Sequence, residues 1–323
     1  MKSERCYLIC WIPFMAAVAS QTLTGILLMV GFCIFAPAID VFAKLAGQAG
    51  IPVFQISASR FALQALFLLP VAIHFDLLRW PNRAEAGLNL LRGSLILIAT
   101  SFFFAALKHM PIADAISIFF IEPFILTLLG GLFLGEPVGW RRIIACMVGF
   151  GGALLIIQPQ YETVGLAAAF PVGTAICFAF YLLLTRRMTQ TAHPITIQIF
   201  TACAAFIVIA PILFIMRNST LPELHLVMID SYQLFLLIGV GIAATIAHMF
   251  LTFAFRNAAV SILAPLQYLE IVAATIFGLL IFGDFPNKIT LLGISIIIGS
   301  GLFVLMRERR LELNGGAEQT PLQ

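Results

Sequence analysis

The chain has 323 residues, of which 61% are hydrophobic and 10% charged, with a mean hydropathy of +1.06 and a formal net charge of +3. Soluble domains average about 45–50% apolar and about 25% charged residues, so this composition excludes a soluble domain and describes an integral membrane protein. No basic stripe stands outside short loops, which excludes a nucleic-acid partner.

The first 22 residues are read as an N-terminal extension without a span of its own. Lys2 and Arg5 precede an apolar run from Leu8 to Ala19, broken by Pro13, that is too short to cross about 30 Å as a helix. The same features resemble a signal peptide, and an upstream start before a true start at Met15 is the other alternative. Ten apolar segments of spanning length follow, at about 23–46, 53–73, 86–107, 113–134, 140–158, 164–186, 195–216, 233–254, 260–282 and 287–306. The longest loops, around 74–85 and 217–232, carry the turn formers Asp76, Pro81, Asn82, Pro222 and Asp230. A polar tail runs from Arg307 to Gln323.

Loop charges set the expected orientation. Twelve Lys and Arg residues, from Lys2 and Arg5 through Arg79, Arg141, Arg186 and Arg256 to Arg310, lie on the side of the N-terminus, against Lys44, Lys108, Arg217 and Lys288 on the other. The positive-inside rule then puts both termini in the cytoplasm.

The chain repeats itself at an offset of 148. Ala254, Arg256, Glu270, Thr275, Gly278, Gly283, Asp284, Gly299 and Leu302 fall on Ala106, Lys108, Glu122, Thr127, Gly130, Gly135, Glu136, Gly151 and Leu154 without a gap. Residues 23–158 and 164–306 form the two repeats. Five spans each is an odd number, so the second repeat enters the membrane inverted, a design with its binding site near the midplane between the halves. The expected fold is all-α integral membrane, ten transmembrane helices as two inverted five-helix repeats.

Intramembrane polar residues are the candidate site. Glu122 and Glu270 hold equivalent places near the middle of the fourth and ninth spans, where an ionised carboxylate costs about 2.5–3.5 kcal/mol on insertion scales. One or both would take up a proton or meet a cationic group; the plainer reading is a carboxyl bracing two helices. Arg60 and Asp40, in the second and first spans, are expected to pair with each other or with a substrate, the structural ion pair being the preferred reading. His248 reads as packing or a hydrogen-bond bridge. Phe119 and Phe120 before Glu122, and Gln267 and Tyr268 before Glu270, would place aromatic faces beside polar groups, suiting a flat amphipathic ligand. Pro37, Pro123, Pro171 and Pro265 interrupt the first, fourth, sixth and ninth spans and would line the site or act as hinges.

Other patterns lead away from chemistry. Cys6, Cys10, Cys33, Cys146, Cys177 and Cys203 show no CxxC spacing and read as small apolar residues, not a disulfide framework or a metal site. Gly239-x-Gly241-x-x-Ala244 matches a dinucleotide fingerprint on paper, but inside an apolar span with no preceding strand it reads as helix packing. No Walker A loop occurs, so no nucleotide cofactor is expected. Gly131 and Gly135 make a GxxxG step for close helix contact, within the chain or between two copies in a homodimer. Asn218-Ser219-Thr220 is a glycosylation sequon, of consequence only in a eukaryotic secretory pathway.

Ten spans, inverted halves and a Gly-acid turn after the fourth and ninth spans resemble the drug/metabolite transporter superfamily, in its form with two tandem EamA domains, over residues 23 to 306. Within it, Gln267-Tyr268-Leu269-Glu270, Phe282-Gly283-Asp284-Phe285-Pro286-Asn287 and Gly299-Ser300-Gly301 resemble a bacterial branch holding riboflavin importers and S-adenosylmethionine carriers. The resemblance implies a secondary transporter of the bacterial inner membrane that takes up a small amphipathic metabolite, riboflavin first. S-adenosylmethionine carriage or amino-acid export is the alternative. A membrane-embedded transferase, the remote one, would need a His, Asp or Arg cluster at one membrane face, which the sequence lacks.

Overall fold

The computed structural model describes residues 4–109, 112–135, 139–157, 165–216, 221, 224–277, 279–280 and 288–315, and among these every regular element is helical. In order they are α1 (Glu4–Gln48), α2 (Val53–His74), α3 (Arg83–His109), α4 (Ile112–Phe119), α5 (Glu122–Leu134) and α6 (Trp140–Ile157). A 3-10 turn at Gly165–Ala168 leads into α7 (Ala169–Met188), α8 (Pro194–Ile215) and α9 (Ser231–Asn257). Then come α10 (Val260–Leu263), a second 3-10 segment (Ala264–Tyr268), α11 (Leu269–Phe277) and α12 (Lys288–Gly315). Among the described residues seven stretches are long and apolar enough to cross a membrane, and Glu122–Leu134, Ile143–Gly152 and Leu291–Ser300 are shorter apolar helices. The protein is an all-helical, multi-pass membrane protein.

At the N-terminus α1 starts at Glu4 and is continuous to Gln48, and its membrane-length apolar stretch is Gln21–Gln48, beside the expected 23–46. Between Ala19 and Leu23 the sequence offers only Ser, Gln and Thr, which a helix tolerates, and no Gly or Pro to stop it. Glu136, Gly278, residues 281–287, Asn218-Ser219-Thr220 and Gly316–Gln323 lie outside the described residues.

Helix starts follow local chemistry. Ahead of α3 the Asn82 side chain accepts from the Glu85 amide at 2.9 Å, and Glu85 accepts from the Asn82 amide at 2.9 Å. Ahead of α9, Asp230 and Gln233 make the same reciprocal pair at 2.7 and 3.0 Å. Both are capping boxes that satisfy otherwise orphaned N–H groups, and both end the two long loops where the turn residues placed them.

Small residues set which helices lie together. α1 runs along α9, α3 along α7, α2 along α8, and α6 along α12. Gly25 of α1 lies against Ala258, Gly31 against the Phe250 ring, and Gly152 of α6 against Ile297 of α12. Gly239 and Gly241 face Phe42 and Leu63 from within α9, which makes their spacing a packing device and not a nucleotide loop. In lipid no hydrophobic force draws helices together, so close backbone approach over small residues is a main source of their association. Gly135 does something else. It closes α5 in the left-handed conformation at φ 64°, with open space beside its Cα among the described residues of this chain, so no close contact within the chain is made there.

Gly93 is the tightest backbone contact. A Cβ on it would stand 2.8 Å from the Ala205 amide nitrogen and 2.9 Å from the Thr201 carbonyl oxygen on α8, atoms that cannot swing away. Gly93→Ala is expected to lower stability by about 1–3 kcal/mol, the usual effect of overpacking, read as an earlier thermal unfolding transition in detergent. Gly47→Ala, with nothing within 4 Å, is the control and is expected to gain about 0.5–1 kcal/mol from helix propensity.

Candidate functional site

Two of the apolar segments are broken in mid-course. α4 ends at Phe119 and α5 starts at Glu122, with Pro123 in its first turn. α10 ends at Leu263, and the 3-10 segment carrying Pro265 intervenes before α11 starts at Leu269. Proline removes a ladder donor and crowds the preceding turn, so each break sits where the sequence puts its proline. Glu122 and Glu270 therefore both fall in the first turn of a helix that restarts inside the protein, where unpaired N–H groups and the helix dipole favour an acid.

The two breaks touch. The Tyr268 hydroxyl donates to the Phe120 carbonyl at 3.2 Å, and the two rings meet edge to face with centroids 5.4 Å apart. These residues are 148 apart, the offset of the sequence repeat.

Beside this contact lies a cavity of about 80 Å³. Its polar wall is Asp40 of α1, Arg60 of α2, Thr100 of α3, Thr174 of α7, His248 of α9 and Glu270 of α11. Its aromatic wall is Phe32, Phe103, Phe104, Phe119 and Phe178. Of the residues singled out in the sequence, Asp40, Arg60, Phe119, His248 and Glu270 thus share one chamber. Glu122, Phe120, Gln267 and Tyr268 do not line it; they are buried together next to it, with Glu122 and Tyr268 fully covered.

Arg60 is not ion-paired with Asp40. An ion pair does form outside the spans, between Arg79 and Glu85 at 3.5 Å. Instead Arg60 donates to Thr100 Oγ1 at 2.6 Å and to His248 Nε2 at 2.6 Å. A guanidinium has only donors, so His248 Nε2 accepts, and the neutral ring carries its proton on Nδ1. That nitrogen lies 3.0 Å from the Tyr181 hydroxyl. His248 is the bridge that its setting in the sequence allowed for, and it is also part of the cavity wall.

The bridge leads to a group the sequence reading did not single out. Arg92 of α3 is fully buried. It donates to Thr185 Oγ1 at 2.8 Å, to Thr201 Oγ1, to Tyr181 Oη at 2.9 Å and to Gln198 Oε1 at 3.0 Å, and its guanidinium stacks 4.3 Å from the Tyr181 ring centroid. Gln198 also accepts from Thr252 at 3.2 Å. A network of neutral acceptors from α3, α7, α8 and α9 therefore holds two cations without a carboxylate in contact. The signal was present: an arginine well inside an apolar run is expensive unless solvated by protein. Its partners sit on other helices at no regular spacing.

A second cleft of about 260 Å³ lies where the 74–85 loop meets the ends of α3, α7 and α8, lined by Asp76, Arg79, Glu85 and His193 among others. Burial, reinforced by Arg256, holds the His193 imidazole below its ordinary range. None of the candidate residues reaches this cleft.

Comparison with known proteins identifies the family. The model of the EamA-like transporter family matches residues 23–158 and again 165–306. An S-adenosylmethionine uptake transporter of Rickettsia conorii is 26% identical over 89% of this chain and 94% of its own length. A riboflavin transporter of Vibrio cholerae is 27% identical over 81% of this chain and 86% of its own. A solved crystal structure 17% identical superposes with a TM-score of 0.69, covering 92% of this chain and 99% of that one. The chain belongs to the EamA-like transporter family.

The Arg92 network makes a measurable stability prediction. Tyr181→Phe keeps the ring stacked on Arg92 but removes the oxygen that joins Arg92 to His248. It is expected to destabilise the protein by about 0.6–1.7 kcal/mol, the range measured for interhelical hydrogen bonds in a membrane protein, seen as a lowered unfolding midpoint. An unchanged midpoint would show that the hydroxyl bridges nothing.

Proposed function

We propose that this EamA-family protein is a ten-span secondary transporter, built as two inverted five-helix repeats over residues 23–158 and 164–306, that takes up riboflavin across the bacterial inner membrane by alternating access. The observation that carries the reading is the cavity: an aromatic wall faced by a few polar side chains, set at two broken helices, is the form expected of a site for a flat amphipathic solute. The pairing of helices supports the inverted design. α1 on α9 and α7 on α3 are equivalent contacts under that reading, while α2–α8 and α6–α12 would lie across the pseudo-two-fold axis. The Phe120–Tyr268 contact would lie on it, since it joins equivalent positions. The relative named a riboflavin transporter supports the substrate.

In this reading the five phenylalanines take the faces of the ring system. Arg60, Thr100 and Thr174 meet its acceptor edge and hydroxyl groups, and Asp40 and Glu270 set polarity at the midplane. Glu122, Phe120, Gln267 and Tyr268 form the seam between the halves. A cavity of about 80 Å³ is well below the roughly 300–1,000 Å³ of ligand pockets, so the substrate enters a more open conformation than this one. The basic loop charges put both termini in the cytoplasm.

One observation favours a second substrate. Asp40, Glu270 and Arg60 in one chamber match the cationic and anionic groups of S-adenosylmethionine, and a relative carries that name. Amino-acid export would use the same charges in the other direction.

Expression in a riboflavin-auxotrophic bacterium is expected to restore growth at limiting riboflavin and to raise uptake of labelled riboflavin several-fold over the empty vector. Glu270→Gln should cut that uptake several-fold. No rescue despite protein in the membrane overturns the vitamin reading, and competition by S-adenosylmethionine alone selects the second substrate.

The topology has its own check. Reporter fusions at residues 1 and 323 should both report the cytoplasm, and opposite faces would remove the inverted repeat.

A further inference from the structure

Glu122 and Glu270 are equivalent in sequence, and each begins a restarted helix, yet their surroundings differ. Glu270 lines the cavity and keeps part of its surface open. Glu122 is fully buried and is not part of the cavity wall. Neither of its carboxyl oxygens has a hydrogen-bond partner among the described residues, and neither does the Nε2 of Gln267, its polar neighbour from the 3-10 segment. Three unpartnered polar atoms at one buried spot are unusual, because buried polar groups are nearly always satisfied.

The nearest groups to Glu122 are acidic or neutral, whereas Glu270 shares its chamber with Asp40, the Arg60 cation and His248. Around Glu122 stand Glu270, Cys146 of α6 and Tyr268 of the 3-10 segment. Around Glu270 stand Asp40 and Cys33 of α1, with Arg60 of α2 beyond Asp40. An ionised Glu122 would have the neutral Gln267 amide as its one neighbouring donor and another acid as its charged neighbour. A buried charge without a matching partner is strongly disfavoured, so the carboxyl carries its proton in this conformation.

We propose that Glu122 and Glu270 form one alternating proton site: whichever glutamate faces the open cavity exchanges a proton with water, while its counterpart holds a proton occluded. The inference rests on the inverted-repeat transporter reading. Exchanging the conformations of the two halves would open Glu122 to the opposite face and bury Glu270. Glu270 then exchanges its proton with one face and Glu122 with the other, and a proton crosses when the O–H bond on one carboxyl breaks as that on its charged neighbour forms. Solute movement is coupled to proton movement through this handover between the two halves.

Carboxyl labelling tests this on the wild-type chain. A water-soluble carbodiimide with a nucleophilic amine tag is applied to right-side-out and to inside-out vesicles, and adducts on the two glutamates are read by peptide mass spectrometry. Labelling of Glu270 over Glu122 is expected from one face and the reverse from the other. Each preference should be about ten-fold or more, as when the minor conformer holds 10% or less. Labelling of both from the same face, or of Glu122 from neither, overturns the proposal.

Proteoliposomes give the second readout. With labelled riboflavin, Glu122→Gln should keep solute counterflow but lose accumulation driven by a pH gradient, and gradient-driven accumulation equal to wild type overturns the proton role. If the wild type carries no riboflavin at all, the substrate reading fails while the labelling result stands on its own.

Discussion

A polar group inside the hydrocarbon region has no water to fall back on, and that constraint organises this protein. Each intramembrane charge must be solvated by other side chains or face a chamber. Arg92 shows the first solution. Two helices, α7 and α8, converge on it with a tyrosine, two threonines and a glutamine, and α9 joins through His248 and Thr252, so the cation is satisfied without an acid. Such a centre fixes α3, α7, α8 and α9 against each other, because moving any one of them strands a donor. Arg60 shows the second solution, with two hydrogen bonds to neutral partners and an Nε left without one at the chamber wall.

Backbone obeys the same rule. Irregular chain at membrane depth is tolerated only where protein or a chamber covers it. The Phe120 carbonyl lies ahead of α5, outside its ladder, and the Tyr268 hydroxyl covers it. Tyr268 itself lies in the other irregular segment. One break thus covers the carbonyl that the other leaves open, and Cys33 Sγ lies 3.5 Å from the Leu266 carbonyl of the second break. The chamber opens next to this cover, which is where a small shift changes the fewest helical hydrogen bonds.

Much of this was legible because membrane chains are written in costly residues. The apolar runs, the 148-residue repeat, the two glutamates and the prolines each follow from a cost that the sequence displays. What it could not display was direction. Phe119 and Phe120 are adjacent, yet the first faces the chamber and the second packs on Tyr268, because the helix stops between them. Gln267 and Glu270 are three apart and part company for the same reason. Asp40 and Arg60 read as a pair by sign and depth. Arg60 instead turns to Thr100 and His248, partners 40 and 188 residues away that no local pattern advertises. Gly135 read as a packing residue by its spacing, but spacing cannot tell a glycine within a helix from one that ends it.

The charge arrangement also bears on why one scaffold serves different solutes. Arg60 and His248 are held by a network reaching back through Tyr181 to Arg92, so the cationic end of the chamber is rigid. Asp40 and Glu270, in contrast, project from α1 and from a helix only nine residues long that restarts after a break. Under the proposed reading, a neutral ring would meet Arg60 through its acceptor edge with the acids left to water or protons, whereas a cationic solute would engage Asp40 and Glu270. Selectivity on such a frame would then turn on which of these groups a solute engages more than on which are present.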